Sequence, residues 1–214
     1  MPLVTTDPIR AAAVLRDGGI CVYPTETFYG LGALVACTPA LARLSLAKRR
    51  PEGKPLPLVA ADRAAAFAVW AGVPPEAERL AARFWPGPLT LVAQAAAGLP
   101  PEVVAGGTVG VRVPGSALAR ELCRLAGGAL VSTSANLAGA PPVARVEDLD
   151  PALLARVDAV LDGGRVPGGR PSTVVEVGRG RPRLIRQGAI AWSDVEAATS
   201  AEGPGPDPLP PPRD

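Results

Sequence analysis

Short apolar runs alternate with amphipathic stretches along most of the chain. Ile20, Cys21, Val22 and Tyr23 form a β-rich run, and Pro24, which carries no N–H, is expected to end its ladder. Thr25, Glu26 and Thr27 follow, then Gly30 and Gly32, so 20–33 reads as a strand entering a hydroxyl-bearing turn ahead of a helix. Upstream, Asp7-Pro8 is a cap-and-first-turn pair for a helix over 9–16, closed by Gly18-Gly19. Thr38-Pro39 opens a second helix whose inward face is Leu41, Leu44 and Ala47 and which ends in Lys48-Arg49-Arg50-Pro51.

The same alternation continues. A buried strand is expected at 57–60, a helix capped by Asp62 through about Trp70, and a helix over 75–84 with Glu76, Glu78, Arg79 and Arg83 outward. Trp85-Pro86-Gly87-Pro88 turns the chain into a strand at 89–93, and another strand, 109–113, bears Arg112. Ser116 caps a helix to about Leu125; a strand at 129–132 then runs into Thr133-Ser134-Ala135-Asn136. A helix over 147–156 and strands at 157–161, 173–177 and 184–186 complete the pattern. Strands alternating with helices imply an α/β fold: a twisted mixed sheet flanked by helices, in one domain with a concave central site.

Composition narrows the class. With 214 residues, 48% of them hydrophobic, the chain supports one continuous core, expected over 1–200. Residues 201–214, including GPGPDPLPPPRD, are too proline-rich to pack and are expected to be a disordered tail. No run approaches the roughly 20 apolar residues of a membrane span and no leader pattern opens the chain, so a soluble cytoplasmic protein without a membrane partner is expected. Lysine and arginine total 22 against 20 acidic residues, so any polyanion site must be local. Three scattered cysteines suit neither a zinc knuckle nor a disulfide framework. There is no histidine, which removes Ser-His-Asp, Cys-His and histidine-metal chemistry and leaves hydroxyls, amides, carboxylates and cations.

Neither a Walker loop nor a dinucleotide fingerprint follows any strand. Lys48 and Arg50 stand two apart at a helix end, where cations are routine partners of the dipole; with Lys54 beyond Pro51 they also make a constrained basic loop able to hold a triphosphate. Ser132-Thr133-Ser134-Ala135-Asn136 is either an N-cap with spare hydroxyls or a donor-rich turn for phosphate oxygens. Gly163-Gly164 and the stretch from Gly168 to Ser172 form a flexible polar loop. Arg112 and Arg186 lie on apolar strands, where each needs an anionic partner, either a protein carboxylate or a ligand.

Taken together, YPTETFYGLGA, AKRRPEGKPLPLV, FWPGPLTLV, TVGVRVP, VSTSAN, LDGG and PSTVVEV with LIRQGAI resemble the threonylcarbamoyl-AMP synthases of the YrdC/Sua5 family, in their short form, over about residues 6–190. The resemblance implies a YrdC-like fold and a nucleotidyltransferase that condenses L-threonine, bicarbonate and ATP, with Mg²⁺, to threonylcarbamoyl-AMP and pyrophosphate. It further implies delivery to a separate transferase for tRNA modification, with tRNA itself bound at most weakly or indirectly. The family's K-x-R signature falls on Lys48 and Arg50, as catalytic residues, and its S-x-N signature on Ser134 and Asn136. By the same matching, Thr27, Arg112, Ser132 and Ser172 line the threonine side, and Arg50, Lys54, Thr108, Ser134, Asn136 and Arg186 the ATP side. Where longer relatives carry a histidine after N-P-L-I-V, this chain has Leu58-Val59-Ala60, so any imidazole contact there is missing. Two other readings remain at this point: an RNA-binding module with a basic concave face, which the near-neutral charge disfavours, and a carbamoyltransferase-related nucleotide-binding domain, which would be expected beside cysteine-rich zinc segments.

Overall fold

The structure, a computed structural model, describes residues 1–48 and 55–200. Eleven strands are formed among them: β1 (Leu3–Thr5), β2 (Cys21–Pro24), β3 (Tyr29–Gly32), β4 (Leu58–Val59), β5 (Leu89–Gln94), β6 (Thr108–Arg112), β7 (Leu130–Val131), β8 (Thr133–Ser134), β9 (Ala159–Leu161), β10 (Thr173–Glu176) and β11 (Arg183–Arg186). The helices are α1 (Pro8–Arg16), α2 (Thr38–Lys48), α3 (Arg63–Phe67), α4 (Pro75–Phe84), α5 (Ala117–Ala126), α6 (Pro151–Leu154) and α7 (Trp192–Ser200). Their starts follow local chemistry: the Asp7, Asp62, Ser116 and Asp150 side chains each accept a backbone N–H of the first turn.

The mixed α/β architecture is divided between two sheets, ordered β1-β9-β2-β3-β8 and β11-β10-β5-β6-β4-β7. In the first, β1, β9 and β2 run parallel and β3 lies antiparallel between β2 and β8. Its central strands are buried on both faces, as apolar runs such as Cys21–Pro24 require. Cys21, Tyr23, Ala159 and Leu161 pack with Ala11 and Leu15 of α1 and Ala119 and Leu122 of α5, while Val22, Leu31 and Val160 join the larger core.

The second sheet is two-faced. Leu89, Leu91, Val109, Val111 and Val175 are at most 1% exposed and belong to the main core with α4 residues Ala77, Leu80 and Ala81. Trp70 and Trp85 cap that layer, donating their indole N–H groups to the carbonyls of Val109 and Leu89. The alternate residues, Thr90, Val92, Thr108, Gly110, Arg112 and Val174, face the other way.

Several expectations need correction. The stretch 20–33 is a β-hairpin, because Tyr29–Gly32 pairs residue by residue with Cys21–Pro24 and Pro24 is inside the ladder, not beyond it. Gly32 permits this: a Cβ there would fall 2.2 Å from the Val131 carbonyl oxygen, so only glycine allows β3 to pass so close to β7. Two glycines in four residues hide β3 from any propensity reading. Thr133–Ser134 is a short strand within the expected turn, the helix from Asp62 stops at Phe67, and 147–156 splits into a 3₁₀ turn and α6 at Asp150-Pro151. β1 and α7 carry no reading from sequence. Arg50, Lys54 and the 201–214 tail lie outside the described residues.

All three thiols are free; Cys21 and Cys123 are buried, and burial pushes both up to about 12, whereas Cys37 is half-buried. Burial likewise pushes the Tyr29 phenol up to about 12 and raises that of fully buried Tyr23. Each neutral form is favoured by the fold, so the stability these groups contribute is complete below their unfolded values and is lost as pH rises toward their folded ones. The urea midpoint should therefore fall progressively from about pH 9 upward, where unfolded thiols and then phenols begin to ionise. A midpoint unchanged between pH 8 and pH 11 would show these groups to be solvated.

Candidate functional site

One cavity of about 650 Å³ lies where the two sheets meet, and it gathers residues from eight separate segments. The inner face of the second sheet forms one wall, with Thr90 and Val92 of β5, Thr108, Gly110 and Arg112 of β6, and Val174 of β10. Thr25, Thr27 and Phe28 of the hairpin tip, and Ser132, Thr133, Ser134 and Asn136, form another side. Every described residue singled out from the sequence lines this space: Thr27, Lys48, Thr108, Arg112, Ser132, Ser134, Asn136, Ser172 and Arg186. The two remaining candidates, Arg50 and Lys54, lie outside the described residues.

The hairpin tip fixes two hydroxyls. Thr25 Oγ1 donates to the Phe28 carbonyl at 2.6 Å and accepts from the backbone N–H groups of Thr27 and Phe28, both at 3.3 Å. Its single proton is thereby used. In the 3.2 Å contact between the two hydroxyls only Thr27 can therefore be the donor, and the Thr27 side chain lines the cavity. Thr25 and Thr27 are only 4% and 8% exposed, so their orientation is set by packing as well.

Ser132 stands where the chain changes sheets. Val131, in β7, pairs with Leu58, whereas Thr133, in β8, pairs with Leu31. The Ser132 N–H donates to the Pro57 carbonyl at 2.8 Å. Beyond it, Lys48 Nζ, from the end of α2, donates into the turn: to Ser134 O at 2.5 Å, Asn136 Oδ1 at 2.9 Å, Ser134 Oγ at 3.1 Å and Asn136 O at 3.2 Å. Ser134 Oγ donates in turn to Asn136 Oδ1 at 2.5 Å, and the Asn136 amide donates to Ala140 O. Lys48 as a whole is 6% exposed, and its ammonium, set among four acceptors, holds the turn in shape as much as it presents charge.

On the far wall, Arg186 Nη2 donates to Ser172 O at 2.9 Å and Ser172 Oγ at 3.2 Å, and Ser172 Oγ meets Thr90 Oγ1 at 3.0 Å. Arg186 has no carboxylate within 4.0 Å among the described residues. Partial burial, and secondarily the positive charge of Arg112, hold its guanidinium below the ordinary arginine range. Two cations thus face one space with repulsion between them, an arrangement that an anion would relieve. Arg112 does have a protein partner, Glu26, at 3.5 Å. The described lining contains no Asp or Glu, and no group of three or more metal-ligating side chains exists among the described residues.

Sequence reasoning left Thr90, Gly110 and Tyr29 unassigned. Thr90 and Gly110 were findable by parity, since they share the face that carries Arg112. Tyr29 gave no such signal: its hydroxyl donates to Gly164 O at 2.7 Å and accepts from Gly163 N–H at 3.1 Å, holding the LDGG loop against the hairpin.

A family model, Sua5_yciO_yrdC (telomere recombination), matches residues 13–188. The curated relatives described next all carry the name threonylcarbamoyl-AMP synthase. The one from Pyrococcus abyssi is 36% identical over 87% of this chain, and the one from Bacillus subtilis 38% identical over 91%. The chain spans only 55% and 58% of their lengths. A relative from Halorhodospira halophila is 39% identical over 85% of the chain and is itself spanned over 96% of its length. Among solved structures, Pyrococcus abyssi Sua5 complexed with L-threonine superposes with a TM-score of 0.86 at 32% identity, covering 92% of this chain and 60% of that one. Escherichia coli YciO superposes with a TM-score of 0.77 at 26% identity, covering 88% of this chain and 96% of that one. With the family model matched over residues 13–188, the chain belongs to the Sua5/YciO/YrdC family.

Proposed function

We propose that this protein is an L-threonylcarbamoyladenylate synthase, a nucleotidyltransferase that joins L-threonine, bicarbonate and ATP. The observation that carries the proposal is the convergence of all nine described candidate residues on one cavity lined by cationic, hydroxyl and amide side chains. The names of the relatives and the threonine held by Pyrococcus abyssi Sua5 support the choice of substrates.

The chemistry asks little of a protein nucleophile. The threonine amine attacks bicarbonate carbon and water is lost, giving a carbamate. A carbamate oxygen then attacks the α-phosphorus of ATP, the bond from that phosphorus to the α,β-bridging oxygen breaks, and pyrophosphate leaves. Holding two anions and a short-lived carbamate in register supplies the acceleration through proximity and charge stabilisation. The Thr27 acceptor suits the amino group of the amino acid, and the guanidinium fork of Arg112 its carboxylate. Ser132 and Ser172 border that end, and Arg186 with Thr108, Ser134 and Asn136 suits the nucleotide phosphates. Lys48 acts through the 134–136 turn that it holds, as well as through its charge. Arg50 and Lys54 are assigned to the phosphates by family matching alone.

Mg²⁺ would enter as part of the nucleotide complex. The carboxylate-free described lining offers it no protein-borne seat, and no step above is routed through it. The product would pass to a separate transferase acting on tRNA in the cytoplasm.

Pyrophosphate should appear only when ATP, Mg²⁺, L-threonine and bicarbonate are all present; release without threonine would exclude the proposed condensation. Thr27→Val removes the cavity-facing acceptor, and calorimetry should record on the order of tenfold weaker threonine binding, with ATP binding retained. Unchanged threonine affinity would remove Thr27 from the pocket. Lys48→Met removes the buried ammonium shared by the acceptors of Ser134 and Asn136, so turnover should fall on the order of a hundredfold and stability by about 2 kcal/mol. A catalytic loss without any drop in the urea midpoint would show that Lys48 does not support the turn.

A further inference from the structure

Glu26 sits one residue before Thr27 at the hairpin tip but is not part of the cavity lining. It reaches Arg112 at the end of β6: Glu26 Oε1 lies 3.5 Å from Arg112 Nε, and the side chains are 16% and 11% exposed. Both atoms are buried, and neither has a hydrogen-bond partner among the described residues. They therefore face each other as a desolvated ion pair slightly too long to be a hydrogen bond.

The carboxylate is seated from its other side. Gly115 N–H donates to Glu26 Oε2 at 3.1 Å, and a Cβ on Gly115 would stand 3.1 and 3.2 Å from Glu26 Cβ and Cγ, so the glycine leaves the room that Glu26 occupies. The Gly115 turn is itself braced by Arg120 of α5, whose Nη1 donates to the carbonyls of Pro114 at 2.7 Å and Gly115 at 2.8 Å. Glu26 is thus held by a rigid turn and cannot follow Arg112 if the guanidinium swings.

A guanidinium can grip a carboxylate through Nε and one Nη, or through its two Nη groups. With Nε turned to Glu26, only the end bearing the two Nη groups remains for the cavity that Arg112 lines. Glu26 also places a negative charge behind Arg112, on the side opposite a ligand, which lessens the repulsion between Arg112 and Arg186.

We propose that Glu26 is a positioning residue that fixes Arg112 so that an amino-acid carboxylate is taken end-on by its two Nη groups. This rests on the threonine-pocket reading above. It links the two recognition elements, since the same hairpin tip carries the Thr27 acceptor and the carboxylate that aims Arg112.

The test is calorimetric binding of L-threonine and of threoninol, which has an alcohol in place of the carboxylate, to wild type and to Glu26→Gln. The glutamine keeps an acceptor for Gly115 N–H but sets an amide donor or a neutral oxygen against Arg112 Nε. L-threonine affinity should fall on the order of tenfold while threoninol affinity and ATP affinity change less than about twofold, so the preference of wild type for threonine over threoninol collapses. Equal weakening of threonine and threoninol would reveal a general distortion of the pocket and overturn the positioning role. Unchanged threonine affinity in Glu26→Gln, with wild type binding normally, would overturn it while leaving the functional reading intact. Wild type that binds no threonine would sink both together. Should Glu26→Gln fail to fold, Glu26→Asp retains the charge on a shorter arm, and a smaller but selective loss of threonine over threoninol is then expected; no selective loss in that variant counts against the proposal.

Discussion

The site depends on a single passage of the chain, in which residues 130–134 leave one sheet and enter the other with only Ser132 between the two strands. Backbone hydrogen bonding leaves no slack: Val131 N–H goes to Ala33 O, Ser132 N–H to Pro57 O and Ala135 N–H to Tyr29 O. The two walls of the cavity are therefore registered by main-chain bonds, and side chains only decorate a spacing already set. Gly32 is the corresponding requirement on the other strand, because any side chain there would strike Val131 O and push the hairpin off the crossover. Lys48 extends the same constraint outward by binding Ser134 and Asn136 just beyond the crossing.

Charge is added to this frame sparingly. A chain with nearly balanced charge places Lys48, Arg112 and Arg186 around one space while the described lining holds no carboxylate. The one acidic residue of the hairpin tip faces away from the cavity and into Arg112. Ion pairs elsewhere, such as Arg43 with Asp158 and Arg124 with Glu121, lie on the exposed surface, where screening leaves them little weight in stability. The contrast between exposed pairs elsewhere and a described lining that carries cations without a carboxylate sets the cavity apart more clearly than net charge does.

Much of this was legible in the sequence because its causes are local. Caps at Asp7, Asp62 and Ser116, the apolar periodicity of α4 and α5, and the alternation in LTLVAQ and TVGVR are each decided by neighbouring residues. The hairpin was not, since YGLG becomes a strand only through its pairing with CVYP and with β8. Glu26 and Tyr29 were visible as residues but not as participants, because their partners, Arg112 and the 162–164 loop, are 86 or more positions away in the chain. Composition alone also suggested that Arg112 and Arg186 stand in equal need of an anion. The fold separates them: among the described residues Arg112 has Glu26, while Arg186 has the neutral acceptors of Ser172.

The second sheet shows why core and site can be built from the same strands without conflict. Along β6 the odd positions Val109 and Val111 are sealed in the core, while Thr108, Gly110 and Arg112 face the cavity. Along β5, Leu89 and Leu91 are core and Thr90 and Val92 are wall. Strand parity therefore assigns one set of residues to the core and its immediate neighbours to the cavity wall, and a change in one set disturbs the other only through volume. Gly110 is where volume matters, because a Cβ there would stand 3.3 Å from both Thr90 Cγ2 and Val92 Cγ2, within the wall itself. Lys48 escapes the division because it comes from a helix end instead of a strand, so its one ammonium must both fill a buried acceptor cluster and serve the cavity. The hairpin tip escapes it for a different reason: Thr25 spends its hydrogen bonds on the turn, and only by doing so leaves Thr27 an acceptor to offer.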